Sequence, residues 1–202
     1  ANAFVLRGAK IVFADSEKDT PNIDLSKVEE LITDKTKVLV IVHYAGVACD
    51  MDKVLEICKE YNLILVEDAA HAIDSYYKSK PLGSFGNLAT FSFHETKNII
   101  SGEGGMLVVN DERYIKRAEI IWEKGTNRAE FIRGDVNKYE WVDIGSSFLP
   151  SELTSAFLYA QLENMDIIQN KRKKIWNYYN EKLKSLEESL AKIQFHKIIY
   201  ED

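Results

Sequence analysis

The sequence predicts an α/β domain with a mainly parallel sheet flanked by helices. Three observations carry this expectation. Apolar runs of strand length recur without polar alternation, amphipathic stretches of helical period separate them, and ionisable residues cluster directly after two of the runs. Continuous apolar runs suit parallel strands covered on both faces. Their alternation with helices is the pattern of right-handed crossovers. Ligands of open α/β sheets bind outside the carboxyl ends of the strands.

The elements follow in order. Lys10–Ala14 reads as a short strand. Asp24–Ile32 reads as a helix, because Leu25, Val28, Leu31 and Ile32 recur at helical spacing. Asp24 is its expected N-cap, since a carboxylate there accepts from free backbone N–H groups. Lys37–Val42 is a buried strand, and Asp52–Tyr61 is a helix with Val54, Leu55, Ile57 and Cys58 on or near its inner face. Leu63–Val66, Leu88–Phe93 and Gly105–Val109 are further strands. Beyond residue 150 the character changes. Ser151–Asp166 and Asn170–Leu190 read as helices, or as one long interrupted helix, and Gln194–Tyr200 as a strand of a second domain.

Bulk properties narrow the function classes. The 202 residues are 46% hydrophobic and carry a formal net charge of -6, which disfavours nucleic acid as a main partner. The only cysteines, Cys49 and Cys58, match neither a metal motif nor a disulfide framework. A reducing compartment, the cytoplasm, is therefore expected. No signal peptide or apolar run of membrane-spanning length stands out, in a chain that begins at Ala1. His43 and His196 lack partners at metal-ligand spacing, so no metal site is expected. The basic run Lys171–Lys174 on a helix reads as a solvated face.

The chemistry gathers after two strands. Leu63–Val66 is followed by Glu67-Asp68-Ala69-Ala70-His71, and Leu88–Phe93 by His94-Glu95-Thr96-Lys97-Asn98. A carboxylate at a buried strand end loses solvation and needs a compensating cation. For Asp68 that cation is either a salt-bridge partner or a helix cap, or the pyridinium nitrogen of pyridoxal phosphate (PLP), whose ring then acts as an electron sink. An amine nucleophile must be partly neutral, which desolvation or a nearby cation promotes. Phe91, Phe93 and His94 provide such surroundings for Lys97, whereas a lysine in an isolated loop is ordinarily a solvated surface residue. Thr90 and Ser92 share one strand face, where a hydroxyl meets either a phosphate or the neighbouring backbone. Ser101-Gly102-Glu103-Gly104-Gly105 lacks a dinucleotide fingerprint and precedes a strand, so it reads as a tight turn with positive φ.

Together, Val66–Ala72, Phe91–Asn98 and Gly102–Gly105, with His43-Tyr44-Ala45-Gly46 and Asp50-Met51 upstream, resemble the DegT/DnrJ/EryC1/StrS family of sugar aminotransferases. The likeness runs from about Ala1 to Met165. It implies the PLP-dependent fold type I, aspartate-aminotransferase-like. It implies that Lys97 carries PLP as a Schiff base and shuttles the substrate proton, that Asp68 pairs with the pyridine nitrogen, and that His71 lies near the cofactor's phenolic oxygen. By the same resemblance Ser92 holds the phosphate, Ala70 lies against the ring, and His94 lines the pocket. A homodimer with sites at the interface is implied too. Lys124–Arg128 and Asp143–Ser151 look most like the branch that aminates dTDP-4-keto-6-deoxyglucose with glutamate, giving dTDP-4-amino-4,6-dideoxygalactose for surface polysaccharide.

The resemblance also implies a division into residues 1–150, part of the PLP-binding large domain, and residues 151–202, a helical connection leading into a small domain. It places a phosphate-binding loop and a ring-stacking aromatic ahead of the segment matching Ala1. The chain alone is therefore expected to give no PLP absorbance band. Alternatives are amination of another nucleotide-linked keto sugar, amination at carbon 3 or of a non-sugar ketone, and an inactive scaffold of the same fold. A PLP-dependent sugar dehydratase is disfavoured, because dehydratases of the family carry His where Lys97 stands.

Overall fold

The computed structural model describes residues 1–189. In chain order the elements are α1 (Asn2–Val5), α2 (Leu25–Leu31), β1 (Val38–Val42), α3 (Met51–Glu60), β2 (Ile64–Asp68), β3 (Tyr76–Tyr77), β4 (Lys80–Pro81), β5 (Leu88–Ser92), β6 (Gly105–Val109), α4 (Ile115–Trp122), α5 (Arg128–Arg133), α6 (Glu152–Glu163) and α7 (Met165–Ser189). β1, β2 and β5 lie side by side in parallel, and β6 closes the sheet antiparallel to β5.

Side chains alternate across each strand, and the two faces differ. Leu39, Ile41, Leu65 and Ala89 point into a core completed by Leu25 and Val28 of α2 and by Met51, Val54, Ile57 and Cys58 of α3. Each large apolar side chain buried there contributes roughly 1.5–3 kcal/mol. Both helices start where the sequence provides a carboxylate: Asp24 accepts from Ser26 N–H, and Asp50 from Lys53 N–H.

Several expectations are corrected. Lys10–Ala14 forms no strand; Val12 and Phe13 are exposed, and a strand needs a partner edge that this segment never reaches. The helix expected from Asp52 begins at Met51, because Asp50 is the cap, and Leu55 faces solvent. Among the described residues no helix joins β2 to β5. That crossover carries the β3–β4 hairpin instead, whose turn residues Lys78 and Ser79 both have positive φ. Val40 and Val42 of β1 and Leu107 of β6 are exposed on the face opposite α2 and α3. The helix expected from Asn170 already starts at Met165, one residue after Asn164, which ends α6. Lys171–Lys174 are exposed on α7, as a solvated face requires. The strand expected at Gln194–Tyr200, and His196 with it, lies outside the described residues. Among the described residues no helix is long and apolar enough to cross a membrane.

Both cysteines are buried and unpaired. Burial pushes the Cys49 thiol up to about 12 and the Cys58 thiol up to about 11. Neither is then a thiolate near neutral pH, and the thiolate is the reactive form. A thiol reagent at pH 8 is expected to leave both untouched in the folded protein and to label both after urea unfolding. Rapid labelling of the folded protein would contradict this burial.

Candidate active site

The site occupies the carboxyl end of the parallel strands, on the sheet face that the helices leave open. Asp68 belongs to β2 as its last residue, rather than following it, and pairs in register with Val42 of β1 and Thr90 of β5. Asp68 Oδ1 accepts from Ala70 N–H at 3.1 Å, which fixes the turn that leads to His71. Oδ2 takes no hydrogen bond among the described residues.

Lys97 sits in the loop between β5 and β6. The antiparallel ladder continues into that loop: Phe93 N–H donates to Gly104 O, Ser101 N–H to Phe93 O, and Glu95 N–H to Gly102 O. Ile99, fully buried, anchors the loop tip. Gly102 has φ +83, a conformation that glycine adopts freely. Lys97 N–H donates to His94 O, while its ammonium makes no ion pair among the described residues.

The charges of Asp68 and Lys97 both act on His71. His71 is half-buried, and its pKa falls below the ordinary histidine value through burial and then through the Lys97 charge, with Asp68 opposing. Its Nδ1 accepts from Ala45 N–H at 3.2 Å, and the Tyr44 ring meets it edge-on at 5.2 Å. Ser92 shares the open face with Thr90; its oxygen accepts from His94 N–H at 3.4 Å, leaving its own hydroxyl proton to donate. Ala70 is half-buried beside Asp68. The His94 ring is committed within its own loop: Nδ1 bonds Thr96, and Nε2 lies 3.5 Å from Glu103.

The chain matches the DegT/DnrJ/EryC1/StrS aminotransferase family over residues 1–198. The chain belongs to that family. It is 36% identical to the GDP-perosamine synthase of Escherichia coli O157:H7 over 197 residues, 97% of this chain and 50% of that protein. Among solved structures it is similar to PseC of Helicobacter pylori, an aminotransferase of pseudoaminic acid biosynthesis, with TM-score 0.83 and 32% identity over 91% of this chain and 48% of that one. It is also similar to the PLP form of Spr1654 from Streptococcus pneumoniae, with TM-score 0.77 and 27% identity over 90% of this chain and 50% of that one. The chain spans about half the length of the curated relatives it matches. The fold expected from the DegT/DnrJ/EryC1/StrS resemblance is the one observed.

Sequence reasoning passed over Glu67 and His43. Both are fully buried and lie 3.1 Å apart, behind the site, on the helix-covered side of the sheet. A signal was present. Glu67 stands two residues after Leu65, on the inward phase of a strand, and a charge there must find partners. Burial alone would raise the Glu67 carboxyl. Hydrogen bonds from His43 and from the N–H groups of Gly86, Gly83 and Phe85 outweigh that and hold it below the usual range. Gln169 of α7 was also missed; its amide reaches Ile73 O and Asp74 beyond His71.

Proposed function

We propose that this chain carries the PLP-binding centre of an aminotransferase acting on a nucleotide-linked keto sugar, with residues 1–150 in the large domain and residues 151–202 leading out of it. The observation that supports it best is the convergence of Asp68, with one unoccupied carboxylate oxygen, and the uncommitted amine of Lys97 on His71. This donor set fits PLP: an anion for the ring nitrogen, a primary amine for the carbonyl carbon, and the Ser92 hydroxyl as a donor to phosphate. Bound PLP supplies the electron sink for moving an amino group.

The chain's own residues supply the rest. Asp68 would offer its carboxylate to the ring nitrogen and favour its protonated form. Lys97 would provide the primary amine that holds the cofactor and the base that carries the substrate proton. His71 would serve the phenolic oxygen, Ala70 the ring and Ser92 the phosphate, with His94 lining the pocket. Intact Asp68, His71, Ser92 and Lys97 argue against an inactive scaffold.

For the substrate we infer dTDP-4-keto-6-deoxyglucose, with glutamate as amino donor, in surface polysaccharide biosynthesis. This rests on Lys124–Arg128 and Asp143–Ser151. A cytoplasmic homodimer is part of the same reading. The GDP-linked name of one relative favours a second reading, a different nucleotide on the keto sugar.

The test is borohydride reduction of the full-length protein with PLP, followed by peptide mass mapping, together with amination assays on dTDP- and GDP-linked 4-keto-6-deoxy sugars. A reduced adduct on Lys97 and glutamate-dependent amination of the dTDP sugar are expected. An adduct on another lysine, or none, would overturn the assignment. Preference for the GDP sugar would replace the substrate and leave the reaction standing.

A further inference from the structure

The function above leaves the buried Glu67–His43 pair unused. Glu67 Oε2 accepts from His43 Nε2 at 3.1 Å and from Gly83 N–H at 2.8 Å. Oε1 accepts from Phe85 N–H at 2.7 Å and Gly86 N–H at 2.6 Å. The other ring nitrogen of His43, Nδ1, accepts from Cys49 N–H at 3.3 Å. A backbone N–H can only donate, so a neutral His43 carries its proton on Nε2 and gives it to Glu67. Every polar atom of the pair is thereby satisfied inside the core.

His43 also directly precedes and caps a single turn, Tyr44–Gly46, that stands over His71. Its own N–H donates to Asp68 O at 3.1 Å, which fastens the turn to the end of β2. Ala45 is held at φ +55, and in that conformation its N–H points at His71 Nδ1. Asn22, itself buried, clamps the far side: Tyr44 N–H donates to its Oδ1, and its Nδ2 donates to Val47 O and Ala48 O. Gly46, at φ +81, packs close to the same segment: an added Cβ would lie 2.9 Å from Ser75 Oγ and 3.2 Å from His71 O. The turn is thus tied to β2 through His43, to His71 through Ala45 and to Asn22 on its far side.

We propose that the Glu67–His43 pair is a positioning element that, through the Tyr44–Ala45 turn, holds His71 as the tautomer protonated on Nε2. With Nδ1 occupied by the Ala45 N–H, neutral His71 has its proton on Nε2, so it donates to an acceptor oxygen and cannot accept there. This polarity suits the phenolic oxygen of PLP, which is where the proposal rests on the function above. The tautomer is a property of the chain and is measurable without cofactor or substrate.

The test is NMR of the ligand-free full-length protein labelled with 15N-histidine, with His71 assigned by loss of its signals in His71→Gln. Two-bond couplings between ring carbon-bound protons and nitrogens separate the two tautomers. In the wild type, His71 is expected as one species, Nε2 proton-bearing and Nδ1 an acceptor. Glu67→Gln keeps the volume but turns an NH2 group toward two of the four donors. The expected result is loss of the single His71 species in favour of a mixture, with His94 unchanged as internal control. Glu67→Asp, which keeps the charge but withdraws it by one methylene, is read the same way if the glutamine variant does not fold. His71 protonated on Nδ1, or mixed, in the wild type overturns the proposal. So does a folded Glu67 variant in which His71 keeps its single tautomer. Failure of the borohydride experiment would remove the role toward PLP and leave the tautomer result standing.

Discussion

Lys97→Ala is expected to abolish amino transfer while leaving the fold intact. The two halves of this expectation have separate physical reasons. Lys97 is half-buried, and its ammonium makes no ion pair among the described residues, so the ladder from Phe93 to Gly104 and the buried Ile99 hold the loop without it. Replacements of that kind fall within about 0.5 kcal/mol. Under the proposed function the chemistry, by contrast, would lose both the anchoring amine and the proton carrier. Positioned proton transfer alone is worth roughly 10²–10⁴-fold, and loss of the covalent route adds to it. Glutamate-dependent amination of the keto sugar should therefore fall by at least about a thousandfold, the middle of that range. Circular dichroism and the unfolding midpoint should match the wild type. Turnover near the wild-type rate would show that another group carries the reaction.

Gly125→Ala is expected to be the most damaging single-methyl change in the chain. The structure gives Lys124–Arg128 a mechanical task. Gly125, at φ +76, passes so close to Asp143 that an added Cβ would lie 1.7 Å from the Asp143 carbonyl oxygen. From the other side, a Cβ on Gly145 would lie 2.1 Å from Gly125 N. Around this crossing Val142 N–H and Asp143 N–H donate to Gly125 O, and Lys124 N–H donates to Ser146 O. Asn127, buried, accepts from Glu140 N–H through Oδ1 and donates to Lys138 O through Nδ2. Arg117 pairs with Asp143, and Arg128 with the buried Glu123.

A methyl group at Gly125 forces the two chains apart. The cost combines overpacking, about 1–3 kcal/mol, with an alanine in the left-handed region, about 1–2 kcal/mol. The melting temperature should drop by roughly 5 °C or more, given about 2–4 °C per kcal/mol at this size. A melting temperature within a degree of the wild type would mean that the two segments do not cross as described.

Legibility differed from element to element for reasons that can be named. α2, α3, β1, β2 and β5 were readable because each carries a local signal: an apolar period and, for the helices, an Asp cap at Asp24 or Asp50. Lys10–Ala14 has the same apolar look, yet Phe13 is 78% exposed, because strand composition does not create a pairing edge. The β3–β4 hairpin occupies a crossover to which the sequence assigned no element, since neither its length nor its Lys78–Ser79 turn stands out in sequence. Asp68 and Lys97 were singled out as strand-end residues before any family likeness was drawn, and the fold brings both to His71.

The sequence by itself determined the fold class and the family and singled out Asp68 and Lys97 as candidates, because side-chain type and strand-end placement are local properties that survive in one dimension. Tertiary structure alone decided which groups answer each other. Glu67 meets His43 across 24 positions, Ala45 N–H meets His71 across 26, and Gln169 reaches Asp74 across 95. Such pairings depend on the register of parallel strands and the course of the turns between them, which no local pattern encodes. Lys97 was identifiable as an amine suited to the chemistry from its neighbours in sequence. That its charge acts on His71 together with that of Asp68 followed only once β6 ran antiparallel to β5 and held the loop between them.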